Sequence, residues 1–147
     1  MTLDAAKALI HNILDEAFNR RQLDAINRYF APEIAEAIRR HAAELLDAFP
    51  DLHVKIEDLV AEEDRVAARL TLTGMHAGPF AGLPATNRRA TWNSFRFYRL
   101  EDGRVAETWA IQDRLGLLEQ IGGSAGGRSQ VSWAGSVSAH EPPDQPA

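Results

Sequence analysis

The chain predicts an α+β protein: helices first, then an antiparallel sheet, then a short closing helix. Three observations carry this. Between Leu3 and Phe49, apolar residues recur at spacings of three and four, the helical period. After Pro50 they alternate with polar residues at a period of two, the signature of half-buried strands. The last two alternating runs meet at Asp102-Gly103, a strong short-range signal for a two-residue hairpin turn.

The elements follow in order. Thr2 can cap a first helix of about four turns whose apolar face holds Leu3, Ala6, Leu9, Ile10, Ile13, Leu14, Ala17 and Phe18. A turn near Asn19 to Gln22 leads to a shorter helix with Leu23, Ile26, Tyr29 and Phe30. Pro32 can open a third helix at its first position, with Ile34, Ala37, Ile38, His41, Leu45 and Phe49 as its inward stripe. Pro50 ends it, because the residue before a proline is pushed out of the helical region. Leu52, Val54 and Ile56 mark a first strand, and Glu62-Glu63-Asp64 a charged turn. Val66, Ala68, Leu70, Leu72, Gly74 and His76 share one face of a second strand. A Gly/Pro-dense loop, Gly78 to Asn87, precedes a third strand from about Arg89 to Leu100. The Asp-Gly turn returns it into a fourth strand through Val105, Trp109 and Ile111. A short apolar helix from Arg114 then stops at Gly122-Gly123. Residues 1–122 read as one domain, and 123–147 as a flexible Gly/Ser/Pro-rich tail with Trp133 as its one anchor-sized residue.

Composition narrows the function classes. The 147 residues are 45% hydrophobic and 25% charged, ordinary for one globular domain. A net charge of −5 with no basic face argues against nucleic acid as a partner. The absence of cysteine excludes disulfides, thiolate catalysis and Cys-type zinc sites. The chain has no apolar run of about 18 residues and no signal-peptide pattern, so a cytoplasmic protein without membrane contact is expected. Neither metal-ligand spacing nor a phosphate-binding loop is present, so no metal and no cofactor is expected.

Asp113 stands where the last strand becomes the closing helix. It reads either as a helix N-cap or as a general acid/base aimed into whatever the sheet encloses, moving a proton beside a carbonyl. His76 shares the phase of Leu70 and Leu72, so it points inward, as a pocket donor or as a histidine satisfied by loop backbone. His41 sits on an apolar face, as a pocket group or a core residue. Trp92, Phe95, Phe97, Tyr98 and Trp109 crowd the last two strands, and alternation splits them over both faces. One set would line a cavity for a planar apolar ligand; the other would pack under helices or form a subunit interface. Asn93 and Gln112 could offer uncharged hydrogen bonds to a ligand carbonyl.

The ordered motifs Phe49-Pro50-Asp51-Leu52, His76-x-Gly78-x-Phe80-x-Gly82-x-Pro84, Asp102-Gly103-Arg104-Val105-x-Glu107-x-Trp109 and Asp113-x-x-Gly116-Leu117-Leu118-x-Gln120-Ile121-Gly122 resemble the SnoaL-like polyketide cyclase family of the NTF2-like superfamily. The resemblance implies a cone-shaped barrel, helices packed on a curved antiparallel sheet around a pocket. It implies a homodimer or tetramer assembled through the sheet. It also implies aldol-type ring closure on a hydrophobic, carbonyl-bearing polyketide without metal or cofactor. Asp113 maps onto the acid/base carboxylate and His76 onto a loop histidine of the pocket. Asn93, Trp109, His41, Phe80 and Phe95 complete the candidate substrate-binding set. The segment Pro84-Ala85-Thr86-Asn87-Arg88 departs from the pattern by one extra residue and a missing glycine. Two rivals stand beside the cyclase. One is an epoxide-hydrolase-type reaction with an Asp-Arg-Asp set, for which Arg69 is the available arginine. The other is non-catalytic small-molecule binding.

Overall fold

The computed structural model describes residues 1–122 and the backbone of Val137–Ser138. Its elements are α1 (Leu3–Ile13), a π-helical turn (Leu14–Asn19), α2 (Ala25–Tyr29), α3 (Pro32–Ala48), β1 (His53–Glu62), β2 (Arg65–Met75), β3 (Arg89–Glu101), β4 (Arg104–Gln112), α4 (Arg114–Gln120) and β5 (Val137–Ser138). The tail and Trp133 otherwise fall outside the described residues.

Local chemistry sets the element ends. The Thr2 hydroxyl accepts from the Ala5 amide at 3.0 Å, capping α1. The first helix does not run through Phe18 as one regular α-helix. It widens after Ile13, and the Arg20 amide reaches back five residues to the Asp15 carbonyl at 2.8 Å. The wider turn keeps Leu14, Ala17 and Phe18 all buried. Pro32 is the first residue of α3. Asp102 and Gly103 have φ values of 52° and 75°, the left-handed pair a tight hairpin needs.

β1 to β4 form an antiparallel meander, with β5 paired antiparallel on the edge of β4. A bulge between Ile56 and Asp58 turns both Glu57 and Asp58 to the face away from the helices. The helix-facing rows are Val66, Ala68, Leu70 and Leu72 of β2 and Ala90, Trp92, Ser94, Tyr98 and Leu100 of β3, all buried. They pack against Ile10, Ile13, Leu14, Phe18, Ile26 and Ile34. Burial of this apolar surface is the main stabilising term.

Two side-chain amides act as surrogate strand neighbours, since a primary amide offers the same donor and acceptor as a peptide. Asn19 accepts from the Val54 amide at 2.7 Å and donates to its carbonyl at 3.0 Å. Gln120 accepts from the Thr91 amide and donates to its carbonyl, both at 2.8 Å, which fastens α4 to β3. Asp51 accepts from the Met75 amide at 2.7 Å and pairs with Arg89 at 3.1 Å, and these bonds hold its carboxyl below the usual range.

The meander gives the sheet two unlike ends. The hairpins at Glu63-Asp64 and Asp102-Gly103 lie at one end, where the Ala31 amide also bonds the Val105 carbonyl at 2.9 Å. The end of β2, the start of β3 and the end of β4 meet at the other. His76, the loop 77–88 and α4 are all gathered there.

Candidate functional site

His76 is buried, one step past the end of β2, on the helix-facing row. Its amide donates to the Arg88 carbonyl at 2.9 Å, and its carbonyl accepts from the Asn87 amide at 2.8 Å, so the loop is closed at its base. The Thr86 amide donates to Nδ1 at 3.3 Å, and the Thr86 hydroxyl lies 2.9 Å from the same nitrogen. With Nδ1 accepting, the neutral ring carries its hydrogen on Nε2, which is buried without a partner among the described residues. Loop groups thus satisfy one ring nitrogen of His76, and the other has no partner among the described residues.

Aromatic rings fill the same end. Phe49 lies 5.7 Å from His76, 5.6 Å from Phe80 and 4.9 Å from Trp92, centroid to centroid. Phe80 is half-buried at the loop tip, where Phe80 and Leu83 exchange backbone hydrogen bonds at 3.0 and 2.8 Å. The Arg114 guanidinium stands 5.3 Å from the Phe80 ring centre, tying α4 to this loop. The Ala77 and Gly78 amides both donate to the Ala48 carbonyl, at 3.0 and 3.1 Å. A Cβ at position 78 would collide with the Asp47 carbonyl, so only glycine permits this approach.

Asp113 does not face the interior. Its side chain is exposed, and Oδ1 accepts from the Gly116 amide at 2.9 Å as the N-cap of α4. Its own amide donates to the Asn93 carbonyl at 3.0 Å, the last bond of the β3–β4 ladder. A side chain on Gly116 would strike the carboxylate, so Gly116 is part of the cap. The preceding Gln112 does turn inward, accepting from Trp92 Nε1 at 3.2 Å.

His41 is exposed, not inward. The buried face of α3 runs through Ile34, Ala35, Ala42 and Ala48, and His41 is one helical step of about 100° from Ala42. Asn93, Trp109 and Phe95 are on the face of the sheet turned away from the helices, so they cannot line an interior cavity. There Phe97 meets Trp109 edge-on at 5.9 Å and Thr71 Oγ1 lies 3.5 Å from Asn93. This outer face holds an apolar depression of about 400 Å³ between Val60, Ala67, Phe95, Phe97, Trp109 and Ile111. Asp58–Arg69 (2.7 Å) and Arg99–Glu107 (3.2 Å) ion pairs flank it.

The helix-facing row of β3 carries polar groups that the motifs did not single out. Ser94 Oγ, Arg96 Nε and Tyr98 OH are buried and unpartnered among the described residues. Burial pushes the Tyr98 phenol up, and the nearby Arg96 guanidinium offsets part of that. Such groups are costly to leave unpaired and are uncommon in folded proteins. The alternation of Trp92, Ser94, Arg96, Tyr98 and Leu100 was the signal that could have found them. No cluster of three or more metal-ligating side chains occurs among the described residues, and no helix there is long and apolar enough to cross a membrane.

The sequence model of the SnoaL-like polyketide cyclases matches residues 8–121. The chain belongs to this family. Its α+β fold is the curved, unclosed sheet with packed helices of the SnoaL-like, NTF2-like proteins. This SnoaL-like chain is 35% identical over 69 residues to the aklanonic acid methyl ester cyclase DnrD of Streptomyces peucetius, across 46% of this chain and 48% of that protein. The match thus spans about half the length of that relative. Nogalonic acid methyl ester cyclase of Streptomyces nogalater is 28% identical over 120 residues, 72% of this chain and 90% of that one. Among solved structures, AclR of Streptomyces galilaeus, a proposed hydroxylase, superposes with a TM-score of 0.76 at 32% identity, covering 82% of this chain and 83% of AclR.

Proposed function

We propose that this chain is a cofactor-independent cytoplasmic cyclase that closes a ring of an aromatic polyketide ester by intramolecular aldol chemistry. The observation that carries the reading is the buried, unpartnered set of hydrogen-bonding groups on an otherwise apolar interior: His76 Nε2, Ser94 Oγ and Tyr98 OH. Aldol closure puts negative charge on an enolate oxygen and then on an alkoxide. Preorganised donors in apolar surroundings stabilise such oxygens, each typically worth about 10²–10³ in rate. In this reading Asp113, exposed at the rim of the open end as the cap of α4, removes a proton from a carbon beside a carbonyl on the part of the substrate that reaches out to it. The resulting carbanion attacks a second carbonyl carbon of the same molecule, one C–C bond forms, and the alkoxide takes a proton back. The product is an isomer of the substrate, and no electrons are exchanged with a partner. Phe80 and Phe49 supply the apolar wall around the reacting end.

The exposed, capping position of Asp113 favours a second reading, non-catalytic binding of the same class of molecule. The epoxide-hydrolase reading loses its arginine, because Arg69 lies on the outer face in an ion pair with Asp58. The test is incubation of the purified protein with nogalonic or aklanonic acid methyl ester in the presence of a chelator. A new product of unchanged mass is expected. Saturable binding without product supports the binding reading, and neither binding nor product overturns both.

The outer apolar depression suits a second copy of the chain, giving a homodimer or tetramer through the sheet. Phe95 is 57% exposed at its centre. Phe95→Glu is expected to convert the assembly to monomer in size-exclusion chromatography with light scattering, with the circular dichroism spectrum retained. An unchanged particle mass would place the subunit contact elsewhere.

A further inference from the structure

On β2 and β3, Arg65, Arg69, Arg89 and Arg99 each face a carboxylate, respectively Asp64, Asp58, Asp51 and Glu107. Arg96 differs. It projects from the helix-facing row, and no ion pair joins it to any carboxylate among the described residues. Its guanidinium lies 5.3 Å from the Phe18 ring centre, and its Nε is buried without a partner. Its register neighbours are Ala68 on β2 and Ala110 on β4, which contribute only methyl groups beside it. Ser94 and Tyr98, two residues to either side on the same face, add two buried hydroxyls, that of Tyr98 beside the Arg96 guanidinium. A guanidinium stays charged at any working pH; Arg96 is half-buried, and its Nε is shielded from water with no carboxylate beside it. One fixed cation and two buried hydroxyls on one side of one strand are a donor set without an anionic acceptor among the described residues.

We infer that Arg96, Ser94 and Tyr98 form a recognition site for an oxyanion carried by an aromatic ligand. That oxyanion is a carboxylate, or the phenolate oxygen of a hydroxylated ring. The planar fork of Arg96 takes two acceptor positions, the hydroxyls donate from either side, and the ring lies among the apolar residues of the interior. The inference rests on reading the helix-facing interior as the ligand site. It makes Arg96 a specificity-determining residue that selects an anionic aromatic ligand over a neutral one.

Calorimetric titration of the whole chain with matched probes tests this. One pair is anthraquinone-2-carboxylate and anthraquinone-2-carboxamide. The other is ionised 2-hydroxyanthraquinone and 2-methoxyanthraquinone. Wild type is expected to bind the charged member of at least one pair about tenfold or more tightly. The pair with the larger ratio identifies the oxyanion. Arg96→Met is expected to erase the ratio while keeping the neutral probe's affinity, because the apolar stem is retained and the charge and fork are lost. Arg96→Lys, which keeps the charge but not the fork, should retain a reduced ratio, and Tyr98→Phe should lower it severalfold. Equal binding of both members in both pairs, no binding of any probe, or a full ratio in Arg96→Met overturns the inference. Charge-selective binding without turnover of a polyketide ester sinks only the cyclase reading. Turnover without an Arg96-dependent ratio sinks only this one.

Discussion

Asp113→Asn is expected to lower turnover of a polyketide ester by about 10²–10⁴ while leaving the melting temperature nearly unchanged. The contrast comes from the two roles of this side chain. As a cap it needs an oxygen facing the Gly116 amide, 2.9 Å away. Asparagine keeps such an oxygen and caps about as well as aspartate, so α4 should hold. As a base it needs a carboxylate, which the amide cannot replace. Steady-state kinetics on nogalonic acid methyl ester, read beside thermal melts, therefore separates the roles. Wild-type turnover with an intact fold would reduce Asp113 to a cap and leave the binding reading standing. The companion change Asp113→Ala loses both functions and should add a stability loss of about 0.5–2 kcal/mol.

The largest expected effect on stability is at Phe49. Its side chain is fully buried and touches the rings of His76, Phe80 and Trp92. It also lies under Gly74, where a Cβ would already press on the Phe49 side chain. Phe49→Ala should cost about 3–5 kcal/mol, the usual range for emptying a buried aromatic site. For a domain of this size that corresponds to roughly 10–20 °C in melting temperature. Differential scanning calorimetry checks it, and a drop of only a few degrees would mean that the loop 77–88 collapses into the space. Because Phe49 also supports His76 and Phe80, the variant should lose ligand affinity at temperatures where it remains folded.

The architecture was legible because it is written in local rules. Thr2, Pro32, Pro50 and Asp102-Gly103 each act through neighbouring backbone, and each marks an element end where expected. The phase of β2 put His76 on the buried face, as found. Three placements were not legible. His41 falls beside Ile38 and Leu45 in an idealised stripe, but a rotation of α3 by one residue exposes it. Asp113 ends a strand and begins a helix, and the cap bond to Gly116, not the strand phase, decides where it points. The aromatic residues of β3 and β4 divide between faces by register, which fixed Phe95 and Trp109 outside and Trp92 and Tyr98 inside. Arg96 was passed over because an arginine within a strand ordinarily reads as solvent-facing.

Asn19 and Gln120 carry a consequence for handling the protein. Each holds one peptide group by donating and accepting at once. Hydrolysis of such an amide during storage removes the donor and sets a negative charge against a backbone carbonyl. Chemical ageing would therefore unfasten β1 from the helix layer at Val54, or α4 from β3 at Thr91, while the apolar centre stays folded. Old preparations should differ from fresh ones first in the hydrogen-exchange rates of those two segments, well before any change in gross fold.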